Sequence, residues 1–332
     1  MGHVIGDVFA IISRVPQVIF TWSTFLAAAF GLFLHKYLGS QGLSWRNFVD
    51  CCFTFNPLKS KSFHADAKVY VIRKLTDHFF LIPGAATLAL VSTRISDQLS
   101  ILQGRGPFLG AGHIGGIAVM VLCGVVLFIV TEFSYYLWHF LEHKIPFLWE
   151  MHKVHHSADV LNPLTNQRAH SVQMIFKYSL SGALNGVPAG IFMSTLEFSF
   201  AEILVLLAMS NKLATILTLD PLRHSHFPVG FGPLDRVFIS PHMHQIHHSK
   251  EQVHWDKNFG TNLAVFDWMF GTAYKPKRGE VPTAGIYGYS DEALQKFNTL
   301  RGTYITPLKE SFRSLAAMLR PDLRQGSGSP VN

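Results

Sequence analysis

The chain has 332 residues, of which 48% are hydrophobic and only 15% charged, with a formal net charge of +7. A soluble domain usually carries about 25% charge, so this balance argues against an ordinary soluble enzyme and for a membrane protein. The basic excess suits an anionic membrane surface or an acidic partner, and no nucleic-acid motif accompanies it.

Val15 to Leu34 carries no charge over twenty residues, enough to cross a bilayer as a helix. The preceding residues lack the basic start of a cleaved signal, so Met1 is expected to belong to the mature chain. Residues 35–78 read as a polar loop with seven basic side chains: Lys36, Arg46, Lys59, Lys61, Lys68, Arg73 and Lys74. Phe79 to Thr93 is a shorter apolar run containing Pro83 and Gly84, and 94–113 reads as a loop with two basic residues, Arg94 and Arg105. Ile114 to Thr131 is a third uncharged run whose helix is expected to reach His139. Seven basic residues against two place the 35–78 side in the cytoplasm, together with His139. Glu132 is either an intramembrane functional acid or a structural one at the boundary.

Tyr178–Leu196 and Phe198–Leu219 read as a helical hairpin that returns His224 to the same side. From Asp220 the chain reads as a soluble cap, in which Asn258 to Tyr274 packs a compact loop-and-helix region. Thr306 is placed to cap a helix, with Pro307 at its first position. Leu308, Phe312, Leu315 and Leu319 then recur at helical spacing before Pro321, giving a helix that lies on the membrane or packs on the cap. The cysteines Cys51, Cys52 and Cys123 form no CxxC pair and suggest no disulfide framework. Three units are expected: membrane segments and a loop over 1–119, a catalytic unit over 120–275, and an extension with a flexible tail over 276–332.

The 18 histidines are concentrated between His139 and His254. The stretch WHFLEHKIPFLWEMHKVHH holds His139, His143, His152, His155 and His156, and HQIHH holds His244, His247 and His248. Residues three and four apart share a helix face. Within each triplet the last two rings diverge by about 100°, so one reaches one metal and its neighbour a second. His170 and His224 are the best additions, making ten candidate ligands, or five for each of two ions. That is too many nitrogens for a closed structural zinc site; imidazole suits iron, copper, nickel or zinc. His226, His242 and His254 are near misses. His3, His35, His64, His78 and His113 are remote. Glu142, Glu150, Asp159, Asp235, Glu251 and Asp256 are all close enough in sequence to orient a ligating ring, and spacing does not choose among them.

HFLEH, HKVHH and HQIHH, together with NQRAH, SPHMHQIHHS and DKNFGTNLAVFDWMFGT, resemble the fatty acid hydroxylase/sterol desaturase superfamily from about residue 120 to 275. The resemblance implies an all-α, four-helix membrane bundle whose cytoplasmic helical cap carries a di-iron site. It also implies O2 as co-substrate, external electrons, and hydroxylation or desaturation of a lipid C–H bond, whether sterol, fatty acyl or other alkyl. The eight histidines of the three motifs match the family's ligands, His170 matches one after the second motif, and the last maps to His224 or, in the HSHF context, His226. An ER or bacterial inner membrane is implied. With no haem or flavin segment, the electron donor must be a separate protein, cytochrome b5-like or a ferredoxin. The substrate is expected in a channel between the spans, near Phe133, Tyr136 and Trp138. The competing class is a membrane metal transporter or metal-binding protein. Transporters set their ligands along a path within the bilayer, whereas here they gather at and beyond the ends of the spans.

Overall fold

The computed structural model describes residues 17–37, 49, 52, 59–104, 116–277 and 279–319. The start of the first apolar run at Val15, the loop around Arg105 and His113, Pro321 and the C-terminal tail lie outside the described residues. The architecture is all-α: α1 Gln17–Tyr37, α2 Lys61–Leu102, α3 Ile117–Lys144, α4 Pro146–His156, α5 Ser171–Leu196, α6 Phe200–Leu217, α7 Pro241–His247, α8 Val265–Phe270, α9 Asp291–Gln295 and α10 Thr306–Leu319. Among the described residues the only β pairing is two isolated bridges, Phe238 with Leu263 and Ser249 with Ala284. Three helices, α2, α3 and α6, are long and apolar enough to cross a membrane.

The polar loop expected over 35–78 ends early, because α2 starts at Lys61, where the Ser60 side chain accepts from Phe63 N at 3.1 Å. Lys61, Lys68, Arg73 and Lys74 are therefore helical. The helix runs through Pro83 and through the loop expected from Arg94, for 42 residues in all. At 1.5 Å per residue it is about 63 Å long, roughly twice the hydrocarbon thickness, so part of it stands outside the lipid.

What keeps α2 continuous is its partner. α5 lies along it through Gly182, Gly186 and Gly190, one helical turn apart. A Cβ on Gly182 would lie 2.3 Å from Gly84 O, and one on Gly190 would lie 2.6 Å from Ser92 O. Such small-residue seams let helix backbones touch where lipid offers no hydrophobic drive. The expected hairpin is present, with α5 starting earlier, at Ser171. Glu197 ends α5 in a left-handed conformation, and Ser199 with Glu202 forms a capping box on α6. α3 packs on this pair through Cys123, Leu127, Ile203 and Leu206.

Thr306 has helical backbone angles and is not a cap, since α10 is entered from a π turn, Arg301–Ile305. One face of α10 packs on α4, where Ser311 Oγ donates to Phe147 O at 2.7 Å, while Phe312 and Leu319 are exposed.

Candidate metal centre

Nine of the ten candidate histidines converge. His139, His143, His152, His156 and His247 form one group; His155, His224, His244 and His248 form another. In each group the available ring nitrogens lie within 4.8 Å of one another. The helices share the work crosswise. α4 gives its i, i+4 pair, His152 and His156, to the first group and His155 to the second. The Pro241–His247 helix and its C-cap give His244 and His248 to the second group and His247 to the first. The adjacent rings part as the 3.6-residue period requires.

Several Nε2 atoms meet face to face. In the first group His139 and His156 approach His152 at 3.1 and 3.2 Å. In the second, His224 lies 3.3 Å from His155, 3.0 Å from His248 and 3.1 Å from His244. The opposite ring nitrogens set the tautomers. His139 Nδ1 donates to Phe259 O at 2.8 Å, His247 Nδ1 to Lys257 O at 2.7 Å and His155 Nδ1 to Arg168 O at 3.2 Å. A carbonyl only accepts, so these rings carry their proton on Nδ1 and turn an Nε2 lone pair inward. His143 Nε2 and His247 Nε2 are buried without a hydrogen-bond partner.

Converging lone pairs repel unless a cation lies between them. A metal–nitrogen bond of about 2.1 Å sets neighbouring ligands about 3 Å apart, which matches these contacts. Burial, reinforced by the neighbouring imidazoles, holds His152, His156, His224, His244, His247 and His248 well below the usual histidine range, and burial brings His155 down to about 3. The rings are thus neutral at pH 7, the form that binds metal. The donor set fits a pair of transition-metal ions.

Two of the six candidate carboxylates stand beside the rings. Glu142 Oε2 lies 3.0 Å from His152 Nδ1, and Asp256 Oδ1 lies 3.4 Å from His143 Nδ1. Burial alone would raise Asp256, but hydrogen bonds from His143 and Lys144 outweigh it and hold the acid at about 2.

His170 stands apart. Its Nδ1 accepts from Val172 N at 3.3 Å, capping α5, and its Nε2 donates to Tyr304 O at 2.9 Å. Of the HSH pair, His224 enters the second group, while His226 packs its ring on Phe25 and Phe227. His242 donates to Glu280 O, and His254 lies against Ser249, Glu251 and Glu280. Phe133 and Tyr136 pack on α8 through Phe266 and Phe270. Trp138 does line a cavity of about 210 Å3 beside the histidines.

Three buried polar nodes hold the site, and spacing revealed none of them. Glu132 accepts from Asn262 N and Asn262 Nδ2 at 2.6 and 2.7 Å and from Leu263 N at 2.9 Å, which makes it structural. Asn262 Oδ1 in turn accepts from Arg223, the neighbour of His224, at 2.7 Å. Asp267 accepts from Phe259 N and Gly260 N at 2.7 and 2.8 Å and so fixes the carbonyl that orients His139. Arg168 is fully buried, reaches Asp66 at 3.0 Å and presents its own carbonyl to His155. The sequence signal was the density of Asn, Asp and Gly in DKNFGTNLAVFD, which spacing arguments could not turn into contacts.

The chain is thus an α-helical protein with membrane-length helices and two adjoining groups of histidines that could hold metal ions. Residues 124–272, a little under half of the chain, match the fatty acid hydroxylase family model, and that stretch is similar to the fatty acid hydroxylase superfamily. The chain is 30% identical over 174 residues to the ornithine lipid hydroxylase OlsE of Rhizobium tropici, covering 52% of this chain and 46% of that one. It is 25% identical over 162 residues to an alkylglycerol monooxygenase of Xenopus tropicalis, covering 48% and 31%. It is 28% identical over 142 residues to a cholesterol 25-hydroxylase-like protein of Danio rerio, covering 40% and 52%. The chain thus spans about half or less of the length of these relatives. No solved structure matches the chain.

Proposed function

We propose that this protein is an O2-dependent lipid hydroxylase whose nine clustered histidines hold two iron ions. The observation that carries this reading is the convergence of buried, neutral Nε2 atoms in two adjoining groups. The names of the relatives favour insertion of oxygen over desaturation. In the overall reaction one oxygen atom enters a C–H bond and the other leaves as water. Two electrons and two protons come from an external redox protein, cytochrome b5-like or a ferredoxin.

The irons supply the oxidising power for an unactivated C–H bond, and the chain supplies position and dryness. The carbonyls of Phe259, Lys257 and Arg168, with Glu142 and Asp256, lock the ring orientations. Trp138, Tyr135 and Gln173 wall the cavity on the side shared by both histidine groups, where a lipid arrives from the membrane helices. Nine ligands rather than ten leave more positions open on six-coordinate ions. His170 is not among the nine; its part is structural. The metal centre is assigned to the cytoplasmic side, because Lys61, Lys68, Arg73 and Lys74 crowd the end of α2 that carries Asp66 to Arg168. Residues 120–275 form the catalytic unit.

The test pairs iron stoichiometry on detergent-purified protein with lipid profiling of cells that express wild type or His155→Ala. The expected result is about two irons per chain and oxidised lipids that disappear in the variant. Identical lipid profiles with altered cellular metal content would instead favour the transporter reading.

A further inference from the structure

The cavity beside the histidines is polar and holds a lysine that senses the Glu142 carboxylate without a direct ion pair. Arg73, one of its walls, is paired with Asp77 at 2.8 Å, and Arg223 with Asp220 at 2.7 Å. Glu142 faces His152. Lys177 has no carboxylate within ion-pair distance among the described residues; its Nζ lies 4.4 Å from the centre of the Tyr135 ring. Around it, Gln173 Oε1 is buried without a partner on a residue 2% exposed, while the Trp138 indole N–H is directed to the Glu142 carboxylate. A buried polar atom that nothing satisfies within the chain marks a place where a ligand makes the missing bond.

A second cavity of about 260 Å3 adjoins this one and shares Tyr135 and Tyr178 as walls. Leu81, Leu88 and Leu207 make it mainly apolar, and α2, α3, α5 and α6 all contribute to it. The polar cavity, at about 210 Å3, has room for a small headgroup and a few carbons, but not for an alkyl chain as well. The two spaces together match an amphiphile: a polar end at the histidines and a chain passing Tyr135 and Tyr178 into the membrane helices.

Resting on the hydroxylase reading, we propose that the substrate is a lipid with an anionic headgroup, that Lys177 holds this group, and that the C–H bond oxidised lies in the headgroup or within a few carbons of it. Lys177 sets specificity and register along the chain, and the histidines and their irons remain the reactive centre.

A carboxylate and a phosphate would both pair with the Lys177 ammonium, and the test separates them. Detergent-purified protein is mixed with palmitic acid, phosphatidic acid or diacylglycerol, and bound lipid is counted by native mass spectrometry, with iron measured on the same samples. Wild type is expected to retain at least one of the anionic lipids about tenfold better than the neutral one; which of the two it retains names the headgroup. Lys177→Met should abolish that preference without changing iron content, and Lys177→Arg should restore it. Gln173→Glu, which adds a negative charge to the same cavity, should weaken anionic lipids selectively, so the test survives if the methionine variant does not fold. Equal retention of diacylglycerol by wild type, or an unchanged preference in Lys177→Met, would overturn the proposal. Anionic preference in a protein that binds no iron would retain the lipid site and sink the hydroxylase reading instead.

Discussion

His155 and His156 are neighbours in the chain, yet their rings serve different groups: His155 lies with His224, His244 and His248, and His156 with His139, His143, His152 and His247. Replacing each by alanine therefore removes a donor from a different ion. Under the two-iron reading, each single variant is expected to lose about one iron of two, and the double variant both, by elemental analysis of purified protein. If either single change removed both irons, or neither, the two-site assignment would fail.

His170→Ala makes the opposite case. That ring caps α5 and donates to Tyr304 O, so its loss is expected to leave iron content unchanged and to lower stability by about 1 kcal/mol. His224→Ala, two residues from a ring that packs on Phe25 and Phe227, should lose iron.

Glu132 is almost fully buried and accepts three hydrogen bonds from Asn262 and Leu263. Glu132→Ala strands those donors and is expected to cost about 2–4 kcal/mol. A lowered thermal midpoint in detergent would show it, and iron should be lost as the Asn262–Arg223 link loosens. A variant as stable as wild type would return Glu132 to the status of a functional acid.

The α2–α5 seam predicts a sharp contrast between glycines. Gly182→Ala drives a Cβ into the Gly84 carbonyl and should destabilise the chain by about 2 kcal/mol or more. Gly124→Ala meets only Leu206 Cδ2 at 3.8 Å and should be neutral or slightly stabilising, since alanine is the better helix former. Unfolding in a detergent series reads both.

Burial holds His155 at about 3, far below the unfolded value near 6.5, and holds the rings around it low as well. The sign follows from linkage. Below about pH 6.5 the unfolded chain takes up protons that the folded chain refuses, so stability is full above that pH and falls as the pH drops towards 3. Metal-free protein should lose stability across this window, and iron-loaded protein should release iron as it acidifies. Denaturation midpoints and iron retention measured against pH check both.

The sequence carried the histidine grouping because it depends on helical period alone: the three motifs fall on one long and two short helices. It did not carry the roles of Phe259, Lys257 and Arg168, whose backbone carbonyls orient the rings, since a carbonyl has no residue-type signature. His170 lies outside both groups, because proximity in sequence to HKVHH says nothing of direction; its ring turns to Tyr304, over a hundred residues away. A proline disfavours a helix interior, but packing along the glycine seam overrides that local preference at Pro83 and α2 continues. Choosing Glu142 and Asp256 from six nearby acids required the tertiary structure, because only their positions in space distinguish them.

The crosswise gift of His155 and His247 ties the fates of the two ions together. Whichever ion enters first clamps both short helices at once, and so prepares the remaining cradle for its companion. Loading should therefore be cooperative, the second ferrous ion binding more tightly than the first in a titration of the stripped protein.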